Sequence, residues 1–151
     1  MSTHVRQQLR EAVVTKLGTI SGLGATVFFN RADPLQPAEL PAVLVFVTDE
    51  KIQRDGMGFP GQLNRQAVVQ IDIVGALTNG FDDALEAIAT KIETAFASSA
   101  TPFPGLNTKD FVLLSANKGK ADGQGESDLM AFRLEFAAWL MTAENDPTTL
   151  T

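Results

Sequence analysis

The chain has 151 residues, 44% hydrophobic and 20% charged, the composition of one ordinary globular domain with its own core. Eighteen acidic residues against twelve basic ones leave a formal charge of −6, which argues against sequence-independent nucleic-acid binding, where a basic footprint carries the affinity. There is no cysteine, which removes disulfides, thiolate chemistry and cysteine-based zinc sites, and no apolar run approaches the ~18–20 residues that span a bilayer.

Met1 to Arg6 runs straight into a charged amphipathic segment without a signal-peptide pattern, so cytosolic synthesis is expected. The spacing predicts a first helix over His4–Leu17. Val5, Leu9, Val13 and Leu17 recur every four residues as an apolar stripe, Ser2 or Thr3 serves as N-cap, and Gly18 is the stop. Ser21–Gly24 is a turn, and Ala25–Asn30 a short β-branched and aromatic strand. Pro34, Pro37 and Pro41 make Arg31–Pro41 a loop. Ala42–Thr48 (AVLVFVT) reads as a central strand covered on both faces. From Asp49 to Leu63 the composition turns polar and glycine-rich, the signature of a long functional loop.

Asn64–Leu77 is a long two-faced strand, with Ala67, Val69, Ile71 and Ile73 on one side and Gln66, Gln70 and Asp72 on the other. Asn79-Gly80 turns the chain into a second helix, which opens on Asp82-Asp83, ends near Ala97 and buries Leu85, Ile88, Ile92 and Phe96. After a connector over Ser98–Thr108 come an apolar strand, Asp110–Ala116, and a mobile hairpin loop, Asn117–Ser127. The last strand, Asp128–Met141, points Met130, Phe132, Leu134, Phe136, Ala138 and Leu140 one way and Arg133, Glu135 and Trp139 the other. Residues 1–143 therefore read as a single α+β domain of order α-β-β-β-α-β-β, followed by a polar tail, 144–151, expected to fray. The architecture expected is a two-layer sandwich: a mixed, mostly antiparallel sheet with both helices on the face of Ile71, Ile73, Phe132 and Phe136. The opposite face is left free or packs on another subunit.

Little in the chain looks catalytic. His4 is the only histidine and lies at the start of a helix, with no second imidazole beside it. Asp82, Asp83 and Glu86 are explained by the helix dipole, and Asp49, Glu50 and Asp55 do not follow a calcium-loop register. Gly56-Met57-Gly58-Phe59-Pro60-Gly61 lacks phosphate-loop spacing and leads into a strand, so it reads as a hairpin tip with an apolar knob. No catalytic, metal or cofactor-binding residues are assigned, and the protein is expected not to be an enzyme. The candidates for protein contact are Arg54, Met57 and Phe59 in the first loop, Lys118 and Lys120 beside Lys109 at the second, and Arg133, Glu135 and Trp139 on the outward strand face. Lys109, Lys118 and Lys120 equally suit a solvated loop, and Trp139 marks a surface covered either by a loop or by a second subunit.

Several phrases in this order resemble tail terminator proteins (minor tail or tail completion proteins) of long-tailed bacteriophages. They are VRQQLREAVVTKL near the start, LPAVLVFVTDE after a proline-rich lead, the strand RQAVVQIDIVGAL, the helix opening DDALEAIATKIE, and FRLEFAAWL at the end, together covering about Thr3 to Thr142. The resemblance implies a ring of six subunits in the virion, assembled in the host cytoplasm and docked on the head-proximal end of the tail tube. Such a ring stops tube growth and meets the head completion (neck) proteins; no membrane or sequence-specific nucleic-acid partner is implied. The alternatives from the residues are another phage neck or tail component, a small-molecule-binding regulatory domain, or a hydrolase. The regulatory domain requires a closed apolar pocket with convergent polar groups. The hydrolase requires a nucleophile and its base.

Overall fold

The computed structural model describes residues 3–30, 35–76, 80–97, 102–103, 105–121 and 129–151. In chain order these form α1 (Val5–Gly18), β1 (Thr26–Phe29), a 3-10 turn (Pro37–Glu39), β2 (Ala42–Asp55), β3 (Gln62–Ala76), α2 (Phe81–Ala97), β4 (Asp110–Ala121), β5 (Leu129–Ala143) and β6 (Asp146–Leu150). The sheet order is β1-β2-β3-β5-β4, and β6 pairs with the end of β5. Only β1–β2 is parallel; the other pairs are antiparallel. The fold is an α+β sandwich of the expected kind.

Strand alternation sets its two layers. Ala67, Val69, Ile71 and Ile73 of β3 lie opposite Ala138, Phe136, Leu134 and Phe132 of β5, and all eight are buried. Val43 and Val45 of β2 join that face. The stripe Val5, Leu9, Val13, Leu17 of α1 and Leu85, Ile88, Ala89, Ile92, Phe96 of α2 close over it in one cluster. Beside α2, Phe111 stacks on Phe136 with ring centroids 4.8 Å apart, and Phe96 and Phe103 pack edgewise around them. Gly75 lets α2 sit close on β3, because a Cβ there would stand 3.2 Å from Leu85 Cδ2.

The structure departs from the sequence reading in five places. First, Asp49–Leu63 is not a loop. Residues 49–55 pair with 62–68, so β2 and β3 run on as a ribbon and only Gly56–Gly61 turns. One of the charged residues that suggested a loop, Glu50, is paired within the ribbon: Arg65 Nη1 meets Glu50 Oε1 at 2.7 Å, and Arg65 Nε donates to Thr142 Oγ1 of β5 at 3.0 Å. Second, β4 continues through Lys118 to Ala121, within the stretch read as a loop, because β5 offers a matching ladder out to Leu129. The remainder of that predicted loop, 122–128, lies outside the described residues.

Third, the C-terminal tail forms β6. Asp146 Oδ1 accepts from Thr148 N at 3.1 Å and from Thr148 Oγ1 at 2.6 Å, which tightens the turn and holds the Asp146 carboxyl below its usual pKa. Gln8 Nε2 then donates to the Thr148 carbonyl at 2.6 Å, and Leu150 packs against the core. Fourth, β2 is not covered on both faces: Leu44 and Phe46 point to the side that carries no helix, and Phe46 is 37% exposed. Fifth, α1 is capped by His4, not by Ser2 or Thr3. His4 has φ −59° and ψ 145°, and its Nδ1 accepts from Arg6 N at 3.1 Å. The helix also takes in Gly18 and ends at Thr19, whose hydroxyl donates to the Lys16 carbonyl at 2.6 Å.

Candidate interaction surfaces

Two surfaces gather most of the candidate contact residues. The first is the tip of the β2–β3 ribbon, where the Met57 and Phe59 side chains are 100% and 83% exposed. The backbone beneath them is clasped. Arg54 Nε donates to Glu144 Oε2 at 2.6 Å, Arg54 Nη2 donates to the Gly58 carbonyl, and Glu144 N donates to the Gly61 carbonyl at 2.7 Å. A Cβ at Gly61 would lie 2.8 Å from Arg54 Nε, so a larger residue there would push the Arg54 side chain out of this clasp. Arg54 is thus a support for the tip, and Met57 and Phe59 are presented on a preorganised base, which lowers the ordering cost of a contact.

The second surface is the sheet face without helices. Arg133 Nε lies 2.9 Å from Asp72 Oδ1 and its Nη2 3.3 Å from Oδ2, a two-point pair across β3 and β5 that raises the guanidinium pKa further. Gln70 Nε2 donates to Asp72 Oδ2 at 3.0 Å, and Glu135 Oε2 accepts from Ser115 Oγ at 3.4 Å. Trp139 stands half-buried opposite Gln66, beside an open hollow of about 400 Å³ shared with Lys51, Gln53 and Asn64. A second open hollow of about 380 Å³ lies between Asn117, Ala131, Arg133 and Glu135. Neither has the closed apolar lining of a small-molecule pocket.

The lysines divide differently. Lys118 faces the helices, reaching Asp82 Oδ1 at 2.8 Å and Glu86 Oε1, with its Nζ 5.0 Å from the Phe132 ring centroid. Those hydrogen bonds raise its pKa and commit it to α2 of its own chain. Lys120 pairs through its backbone with Met130, and its side chain lies outside the described residues. Arg133, Glu135 and Trp139 therefore share one face, Arg54, Met57 and Phe59 share the tip, and Lys118 lines the hollow beside Arg133 while its ammonium is turned to α2.

Sequence reasoning missed a third set of exposed apolar residues: Phe29, Phe46 and Ile52 on β1 and β2, and Val112, Leu113 and Leu114 on β4. The run holding Phe46 reads as covered on both faces, and Ile52 lies in the stretch that reads as a polar loop. The β4 run instead spans a register shift between Leu113 and Ser115, where the bulged Leu114 is pushed outward. Among the described residues no group of three or more His, Asp or Glu side chains is placed to hold a metal ion. No described helix is long and apolar enough to cross a membrane.

No protein-family model and no curated protein matches the sequence. Among solved structures, the fold is similar to that of a chain in the virion of a native gene transfer agent (GTA) particle. The TM-score is 0.61 and the identity 16%, over 93% of this chain and 100% of that one. At that identity the likeness is one of fold, extending through both layers of the sandwich.

Proposed function

We propose that the chain is a structural virion protein that forms a six-membered ring on the head-proximal end of a phage tail, stops tube growth and joins the tail to the head. It has no enzymatic turnover in this reading. The observation that carries it is the fold shared with a subunit of a virion particle over that subunit's whole length. The tail-terminator phrases supply the position within the virion. The geometry suits such a part, because a rigid core carries separate presented surfaces, and a cyclic ring needs two unlike patches on each subunit. In this reading the tip with Met57 and Phe59 meets the tail tube protein, and the neck proteins bind the opposite rim.

Negative-stain microscopy of the purified protein, alone and mixed with tail tubes, tests the proposal. Rings seated on one end of each tube are the expected image. Unchanged, still-growing tubes, or absence of the protein from purified virions, would overturn it. Another neck or tail component of the same architecture is the second reading, since the virion neighbour's description names no part of the particle. Labelling at a site other than the head-proximal end of the tube would favour it.

A further inference from the structure

Among the described residues, the exposed large apolar side chains are grouped rather than scattered. Met57 and Phe59 sit at the tip; Val112, Leu113 and Leu114 lie on β4; Phe29, Phe46 and Ile52 lie on β1 and β2. The last two groups mark opposite edges of one sheet. β4 is an edge strand along all 12 of its residues. At the other side β1 covers β2 only from Ala42 to Val45, so on the flank away from β3 no described strand lies against β2 from Phe46 to Asp55. No turn, loop or cap hydrogen bond between described backbone groups reaches either stretch.

An open edge offers unpaired N–H and C=O groups to any strand that fits, and proteins usually blunt such edges with charge or proline. The middle of β4, from Val112 to Ser115, has neither, whereas the β2 flank carries Asp49, Glu50, Lys51, Arg54 and Asp55, with Ile52 exposed among them. The two edges are also matched in direction. β2 is antiparallel to β3, β3 to β5 and β5 to β4, so β4 runs opposite to β2. Identical subunits set side by side with their sheets continuous bring β4 of one against β2 of the next as an antiparallel pair.

We infer that the subunit contact of the ring is this edge pairing: β4 of one copy adds to the Phe46–Asp55 flank of β2 in its neighbour, and a single sheet runs around the assembly. The inference rests on the ring reading above. It identifies the two unlike patches that a head-to-tail contact requires, and closing the ring leaves neither edge open. Matching the exposed apolar residues of the two edges sets Leu113 and Leu114 near Ile52 of the neighbouring copy. The tip stays clear of the contact and is left for the tube.

The cysteine-free chain makes this directly testable. Leu114→Cys is combined in turn with Lys51→Cys, Ile52→Cys and Gln53→Cys, and each double variant is oxidised at assembling concentration and on tail tubes. At least one double variant should give a non-reducing ladder that ends at the ring size, while each single variant stays monomeric. Complete dimerisation of Leu114→Cys alone would mean a two-fold β4–β4 contact and would overturn the inference. Rings visible in the microscope with no cross-linking in any double variant would overturn the edge pairing and leave the ring standing. Absence of both rings and cross-links would overturn both. As a second measurement, Leu114→Lys should abolish rings while leaving the melting temperature within a few degrees; rings persisting in this variant would count against the pairing.

Discussion

Glu50 and Arg65 meet at 2.7 Å beneath the start of α1, each side chain only 6% exposed, on a ribbon whose composition suggested a solvated loop. Arg6 approaches the same Glu50 oxygen at 3.5 Å, and Glu50 Oε2 has no hydrogen-bond partner. Removing one member of a buried pair strands the other, at a cost of about 3–5 kcal/mol, whereas replacing both with apolar residues is often nearly neutral. Arg65→Met should therefore destabilise strongly in urea denaturation, and Glu50→Leu combined with Arg65→Met should recover most of the loss. Equal losses in the single and double variants would show that the pair is not the source.

His4 gives the fold a pH dependence. Burial, then the charges of Arg6 and Arg65, push its pKa below the ordinary 6.5, with Glu50 opposing. The cap needs a neutral Nδ1 acceptor, so the folded state binds the proton less well than the unfolded chain. The His4 contribution is thus complete above about pH 6.5 and is lost as pH falls through the depressed value. The size should be a fraction of the roughly 1 kcal/mol that an N-cap is worth. Melting scans of the wild type and His4→Ser, which keeps a capping oxygen without titrating, should diverge below pH 6.5. Parallel curves would remove His4 from the account.

The tip should be separable from the fold. Met57→Ser and Phe59→Ser alter side chains that touch solvent, so stability should change by no more than about 0.5 kcal/mol. Replacing Gly56–Gly61 with Asn-Gly keeps the Asp55–Gln62 pair closed by a two-residue turn. Both changes should leave the circular dichroism spectrum intact and abolish tube capping. Normal capping by either would make the tip a plain connection.

Trp139 and Phe136 lie three residues apart on β5 and should behave oppositely. Phe136 is 3% exposed within the aromatic cluster, and Phe136→Ala should cost about 3–5 kcal/mol. Trp139 is half-buried on the face without helices, so Trp139→Ala should cost much less while weakening ring assembly or capping. Sedimentation velocity beside denaturant titration separates the two effects. A Trp139→Ala loss as large as that of Phe136→Ala would assign Trp139 to the core.

The layers of this fold were legible because they rest on periodicity. The phase of Ile71 and Ile73 against Phe132 and Phe136 named the helix-covered face, and the structure has it so. The ribbon was not legible, because its strands are polar and its stabilising partners, Arg65 with Glu50 and Thr142, are distant in sequence. The same holds for β6, whose tie to α1 joins Gln8 and Thr148. The exposed apolar edges escaped for the converse reason. Apolar runs such as FVLL report that a strand avoids water, and whether water is excluded by the same chain or by another is a property of the assembly. The candidate residues at the tip and on the face without helices were readable one by one, but the Arg54–Glu144 clasp beneath the tip was not.

The C-terminal hairpin decides where anything attached to this protein would emerge. Thr151 N donates to the Met141 carbonyl at 2.9 Å, and Thr151 Oγ1 donates to Gln62 Oε1 at 2.9 Å, on the first residue of β3 after the tip. Polypeptide continuing past Thr151, whether natural or an affinity handle, therefore leaves the domain beside Gln62, at the base of the ribbon that carries the tip. The start of α1 lies close by, since Gln8 Nε2 donates to both the Thr3 carbonyl at 2.7 Å and the Thr148 carbonyl at 2.6 Å, so a handle at either terminus is attached to the same side of the subunit.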